Sequence, residues 1–210
     1  MLRFPKVAVF VVAALAICAG LAFGILWSSK TAEPPEIAGF VYPEPKEMSP
    51  FRLTEHNGSN FDLDALKGKW TFVYFGYTYC PDVCPTTLVE LSRVQKSLAD
   101  AKLDSNNQYV FVTVDPQRDT PQRLAQYVVY FNKKFIGVTS SDESLAKFTQ
   151  DIGILYGYPE GRKGKNYAVN HSSTVALFDP DARLHAIFTS PHKAAEIVEG
   201  FEKILGRWRG

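Results

Sequence analysis

The chain has 210 residues, 46% of them hydrophobic and 21% charged, with a formal net charge of +1. That is enough apolar material for one compact domain plus a short extra segment. Near-neutrality excludes an extended basic field of the kind that gathers nucleic acid or an anionic membrane surface by counterion release, so no nucleic acid is expected as a partner.

The first predicted element is a transmembrane helix. After Met1-Leu2-Arg3-Phe4-Pro5-Lys6 the chain runs uncharged from Val7 to Trp27, about the twenty residues a helix needs to cross the hydrocarbon layer. Arg3, Lys6 and the amino terminus precede the run, while Lys30, Glu33 and Glu36 follow it. The positive-inside bias therefore keeps the first residues cytoplasmic and puts the rest outside. A cleaved signal peptide has a shorter apolar region, of about 7 to 15 residues, and ends in small residues. This run ends Ile25-Leu26-Trp27, which favours an uncleaved anchor over 1–30. Cys18 lies within it as a small hydrophobe; the bulky Ile17 before it and the apolar stretch beyond speak against lipid attachment. Cys80 and Cys84 are then the thiols of the exported part.

Residues 31–48 contain Pro34, Pro35, Pro43 and Pro45 among several charges, and read as an extended tether to a domain over 49–210. Phe51 to Leu63 alternates around Asn57-Gly58, a pair suited to a tight hairpin turn, so a two-stranded ribbon is expected to open the domain. Strands and helices then alternate. Trp70 to Tyr77 is aromatic and β-branched, Pro85 to Ala99 is amphipathic, and Tyr109 to Val114 is a further apolar strand. Thr120-Pro121 marks a helix start, with Leu124, Tyr127, Val128 and Phe131 at helical spacing. Phe135 to Thr139 predicts a strand, and Ser141, Asp142 and Glu143 suit the positive end of a helix that buries Leu145, Phe148 and Ile152. Tyr156 to Asn170, with Gly157, Pro159, Gly161 and Gly164 among Arg162, Lys163 and Lys165, is expected to be a mobile loop. Strands Ser173 to Phe178 and Leu184 to Phe188 follow, joined by Asp179-Pro180-Asp181, and Ser190-Pro191 is expected to open a last helix. The order β-α-β-α-β-α-β-β-α predicts an α/β sandwich of thioredoxin-like type.

The strongest chemical signal is Cys80-Pro81-Asp82-Val83-Cys84-Pro85, placed where a strand ends and a helix begins. Unpaired backbone N–H groups and the helix dipole stabilise a thiolate there, the form that binds metal and attacks disulfides. Cys84 continues into Leu88, Leu91, Val94 and Leu98 and so lies above the buried helix face; a capping-box pattern at Thr87 and Glu90 would instead start the helix later and leave both cysteines in a loop. Four-residue spacing allows a Cys80–Cys84 disulfide or a shared metal. Redox motifs of the thioredoxin type use Cys-x-x-Cys, with two intervening residues where this chain has three. Thioredoxin-like folds also place a cis-proline before the strand facing the cysteines, and the matching stretch Val169 to Val175 offers His171 and no proline. Two thiolates and one imidazole suit Cu(I); zinc, the competitor, usually wants a fourth ligand. Asp115 and Asp119 precede a helix start and are read first as caps, second as acidic groups adjusting the charge around the metal. His56, His185 and His192 are expected to be solvent-exposed structural residues, and Tyr77 and Tyr79 to flank the site.

Together, Phe75-Gly76-Tyr77-Thr78 before the cysteine motif, Val114-Asp115-Pro116-Gln117-Arg118-Asp119-Thr120-Pro121, His171-Ser172-Ser173 and the single N-terminal anchor resemble one family: the Sco/SenC proteins, copper chaperones for assembly of the CuA centre of cytochrome c oxidase. The resemblance spans roughly Ser49 to Leu205. It implies that Cys80, Cys84 and His171 bind one copper ion, as Cu(I) or Cu(II), received from a copper donor protein and passed to the oxidase subunit that carries CuA. It also implies a bacterial inner-membrane protein with its C-terminal domain in the periplasm. Many members have Asp before the histidine; this chain has Asn170, a lost charge expected to weaken Cu(II) more than Cu(I).

The expected protein is a carrier and not an enzyme. The enzymatic alternative is a thiol-disulfide reductase that keeps its target's cysteines reduced through Cys80 and Cys84. A peroxidase reading of Val83-Cys84-Pro85-Thr86 ranks third, because Pro81 stands where that chemistry has a hydroxyl residue. In either leading case an exported dithiol oxidises unless a thiol reductase serves it, so such a partner is expected.

Overall fold

In a computed structural model of the chain, residues 15–21, 23, 34–160 and 167–208 are described. The chain divides into two units, Met1–Pro34 and Pro35–Gly210. In the first, residues 15–21 and 23 are helical. Most of the expected span Val7 to Trp27 lies outside the described residues, among which no helix is long and apolar enough to cross a membrane.

The second unit is built on an eight-stranded mixed sheet. Its strands are β1 (Gly39–Lys46), β2 (Arg52–Glu55), β3 (Asn60–Asp62), β4 (Trp70–Gly76), β5 (Asn107–Thr113), β6 (Phe135–Thr139), β9 (Thr174–Phe178) and β10 (Leu184–Thr189), in the order β1-β10-β9-β4-β5-β6-β2-β3. The helices are a short α1 (Leu63–Leu66), α2 (Val83–Asp100), α3 (Pro121–Phe131), α4 (Asp142–Ile152) and α5 (Ala194–Leu205). Strands β4, β5 and β6 run parallel, joined by α2 and α3, as parallel neighbours require. Strand β9 pairs antiparallel with β4, and β10 with β9.

All of β4 is buried, because both faces of the sheet are covered. Side chains alternate across a strand. Trp70 and Phe72 therefore meet Phe201 of α5 at ring separations of 5.5 and 5.1 Å, whereas Phe75 turns the other way to Phe148 of α4 at 6.1 Å. Tyr127 of α3 packs on Phe111 of β5 at 5.5 Å, on the face shared by Tyr74. This is the thioredoxin-like sandwich that the strand and helix alternation predicts.

Four expectations need correction. Residues 31–48 are not a tether throughout, since Gly39–Lys46 is a strand on the sheet edge, antiparallel to β10, with Val41 and Met48 buried. An edge strand pairs through its backbone and tolerates proline, and the register shift between Val41 and Lys46 falls where Pro43 and Pro45 stand. The Asn57-Gly58 hairpin forms, but it is second in order and extends the same sheet through β6. The expected loop from Tyr156 to Asn170 is closed at its base by β7 (Tyr156–Gly157) against β8 (Asn170–His171), and residues 161–166 lie outside the described residues. The last helix starts at Ala194 and not at Ser190-Pro191, because the Glu90 carboxylate accepts the Ala194 N–H at 2.8 Å and so caps that helix from α2.

Edge strand β1 can be tested at Gly39. A Cβ there would sit 1.9 Å from the Ile187 carbonyl oxygen, because β10 passes directly over it. Gly39→Ala is expected to lower stability by about 1–3 kcal/mol in urea denaturation. A flexible tether would leave the midpoint unchanged.

Candidate metal centre

Strand β4 ends at Gly76 and α2 begins at Val83, so the loop between them carries Cys80 to the mouth of a helix N-terminus. Cys80 is half-buried and its N–H donates to Tyr77 O at 3.1 Å. Cys84 lies in the first turn of α2, fully buried on the face of Leu88, Leu91, Val94 and Leu98. Its backbone N–H points at the Cys80 sulfur at 3.5 Å. The capping-box alternative is not realised: Thr87 is buried, and Glu90 pairs with Arg93 and caps α5. Gly76 makes the close approach possible, since a Cβ there would stand 2.8 Å from the Cys84 sulfur and 2.9 Å from the Phe111 ring.

His171 arrives from the other side on β8, held by pairing with Tyr156 and by Ser172 N–H donating to Leu155 O at 2.8 Å. Its Nδ1 lies 3.2 Å from the Ser172 carbonyl oxygen, which accepts an N–H and selects the tautomer whose Nε2 lone pair is free. Nε2 is 3.5 Å from the Cys84 Sγ. The Sγ atoms of Cys80 and Cys84 and a ring nitrogen of His171 all lie within 4.8 Å of one another, the one such cluster among the described residues. Three ligands at bond lengths near 2.2 Å around a planar three-coordinate ion stand about 3.8 Å apart, so this triangle closes on a metal with small adjustments. Both cysteines are free thiols, so the disulfide alternative is not the state described.

The two sulfurs are electrostatically unequal. Cys80 is drawn well below the usual thiol range, first by the hydrogen bond from the Cys84 thiol, then by His171 and the backbone amides of Asp82 and Cys84, against the opposing effect of burial. Cys84 is pushed up by giving that hydrogen bond and by its own burial. The pair therefore loses its first proton from Cys80.

Asp115 and Asp119 do not cap α3; Thr120 does, accepting from the Arg123 N–H at 3.3 Å. Both aspartates are fully buried and brace the two halves of the site. Asp119 accepts from the Thr78 N–H at 2.9 Å and from the Thr113 hydroxyl at 2.6 Å, which ties down the loop two residues before Cys80. Asp115 pairs with Arg118 and accepts the Tyr167 hydroxyl at 2.7 Å. Arg118 lies over the Tyr167 ring at 3.5 Å and over Tyr79 at 4.7 Å, and Tyr158 donates to Val114 O at 2.6 Å. Tyr158 and Tyr167 were not singled out from the sequence, where aromatic residues inside a glycine-rich stretch are the available signal, and Arg118 stood only as part of the Val114 to Pro121 motif. Tyr77 is buried with its ring 5.8 Å from that of His171, and Tyr79 is 40% exposed under Arg123. An open cleft of about 320 Å³, lined by Leu155, Tyr156, Gly157, Asn170, His171 and Ser172, leads to the imidazole.

The remaining histidines stand apart from the cluster, though none is simply solvated. His56 accepts the Gly137 N–H at 2.9 Å, His185 packs edge-on to Trp70 at 5.2 Å, and His192 is buried. His192 was expected to be exposed at a helix start; it is covered because the chain runs in over Tyr74 before α5 begins.

Residues 42–206 match the model of the SCO1/SenC family. A SCO2-like protein of Rickettsia felis is 34% identical over 199 residues, covering 91% of this chain and 95% of that protein. Among solved structures, copper-bound ScoI of Arabidopsis thaliana matches with a TM-score of 0.70 and 31% identity, over 77% of this chain and 99% of that one. Copper-bound yeast Sco1 matches with a TM-score of 0.73 and 27% identity, over 79% and 91%.

Thiol alkylation followed residue by residue in a mass spectrometer tests the inequality of the two sulfurs. Cys80 is expected to react with iodoacetamide with a midpoint well below the ordinary thiol value of about 8.5, and in Cys84→Ala the midpoint should rise. A wild-type midpoint between about 8 and 9 contradicts the geometry.

Proposed function

Because the chain belongs to the SCO1/SenC family, we propose that Cys80, Cys84 and His171 hold one copper ion and that the protein delivers it to the subunit of cytochrome c oxidase carrying CuA. The observation that carries this reading is the approach of the His171 Nε2 to within 3.5 Å of the Cys84 Sγ, beside a second thiol, across 87 positions of sequence. Two soft sulfurs and a neutral nitrogen favour Cu(I), and among the described residues no fourth protein donor joins the cluster, which disfavours zinc.

The residues divide the work. Cys80, already inclined to ionise, offers the first sulfur, and Cys84 gives up its proton as the metal binds. His171 supplies the third donor from the side facing the open cleft, so an acceptor's ligand can approach there and displace the imidazole. Asp119 and Asp115 keep the two half-sites aligned through Thr78 and Tyr167. The anchor over 1–30 holds this domain at the periplasmic face of a bacterial inner membrane, where a copper donor protein loads it and a thiol reductase keeps the cysteines reduced.

A second reading has its own support in the unequal thiols: an acidic Cys80 next to a buried Cys84 is an arrangement suited to attack and resolution in disulfide exchange. In that reading the protein reduces the cysteines of its target, and His171 only lowers the Cys80 pKa.

The reduced protein is expected to bind one copper per chain and to lose it in Cys80→Ala, Cys84→Ala and His171→Ala, as read by metal analysis after gel filtration. Deletion of the protein should diminish the oxidase spectrum and activity at low copper, with recovery on copper addition. Undiminished copper in His171→Ala, together with disulfide exchange that persists in that variant, would give the reductase reading precedence.

A further inference from the structure

Behind Cys84 the fold buries four polar atoms with no hydrogen-bond partner: the Tyr74 hydroxyl, the Ser173 Oγ and both ring nitrogens of His192. Leaving such atoms unpaired costs stability, and native interiors keep them few. Here they gather at one place. Tyr74 is fully buried on β4, its ring 6.2 Å from that of His192 and 6.5 Å from that of His171. On the same face of β4, two residues on, the Cys84 sulfur lies against Gly76, and that thiol and the hydroxyls of Thr87 and Ser173 are polar groups that bear on the Tyr74 hydroxyl, none of them in hydrogen-bond geometry with it. The same layer holds Phe111 at 6.1 Å, so a phenylalanine at position 74 would satisfy the packing without an orphaned oxygen.

A neutral thiol is a weak acceptor, and that leaves the Tyr74 O–H without good use in the metal-free protein. A metal-bound cysteine is a thiolate, whose charge makes the hydrogen bond strong. We propose that Tyr74 is the hydrogen-bond donor reserved for the Cys84 thiolate of the metal-loaded site, oriented by Ser173, Thr87 and His192. The inference rests on the copper reading above and names a positioning residue within it. Donation to the sulfur fixes its aim at the metal and withdraws electron density from it, which tunes the bound copper.

The test compares the full-length protein with Tyr74→Phe and with Tyr127→Phe, a control whose hydroxyl is likewise buried and unpaired but gives no hydrogen bond to either sulfur. Three quantities are read: stability of the metal-free protein in denaturant, Cu(I) affinity by competition with a chromogenic chelator, and the sulfur-to-Cu(II) charge-transfer band. Tyr74→Phe should leave metal-free stability equal or raised, weaken Cu(I) binding about tenfold and move the band to longer wavelength, since a sulfur without its donor gives up electrons more readily. Tyr127→Phe should match wild type in affinity and band. Wild-type affinity and band in Tyr74→Phe, or a clear loss of metal-free stability there, overturns the proposal while leaving the copper reading intact. If the wild type takes up no copper, the copper reading fails and this inference goes with it.

Discussion

The site depends on one constraint: the Cys84 sulfur must be buried at the junction of β4 and α2 and still face His171. Gly76 allows it, because any side chain at that position would occupy the space the sulfur takes against Phe111. Everything else is arranged about that placement. The helix N-terminus stabilises charge on the neighbouring Cys80, and the buried face of α2 fixes the direction of Cys84. The pairing of β7 with β8 then brings the imidazole to the exposed side of the sulfurs.

Two buried aspartates carry this arrangement across long sequence separations. Asp119 reaches back to Thr78 and Asp115 reaches forward to Tyr167, so the segment between β5 and α3 serves as a brace between the cysteine loop and the histidine strand. A buried carboxylate is costly unless its oxygens are occupied, and both are met by hydroxyl, amide or guanidinium donors. Burial nevertheless raises the Asp119 pKa, with the nearby Asp115 adding to the rise. The site thus carries anionic groups close behind its walls, and Arg118, stacked among Tyr77, Tyr79 and Tyr167, offsets them.

Much of the fold was legible because its central elements are strongly periodic. The aromatic run from Trp70, the helix from Val83 and the capped helices at Thr120 and Ser141 announce themselves through burial pattern and cap chemistry. The cysteine motif and the histidine standing where a proline was expected marked the cluster. What the sequence concealed were contacts made by backbone or between distant side chains. Strand β1 pairs through main-chain groups despite its prolines, so composition described it as a tether. Asp115 and Asp119 sit where caps are common, and only the three-dimensional path of Thr78 and Tyr167 shows that they bond elsewhere. His192 stands where a helix start predicts exposure, but it is buried and packs edge-on against Tyr74. Such pairings carry no local pattern.

The central claim is that two sulfurs and one imidazole nitrogen share a single soft ion. X-ray absorption at the copper edge of the loaded protein tests it most directly. The account predicts a first shell of two sulfurs and one nitrogen, with the nitrogen lost in His171→Ala. A shell of oxygen and nitrogen without sulfur, or one unchanged by removal of that imidazole, would contradict it.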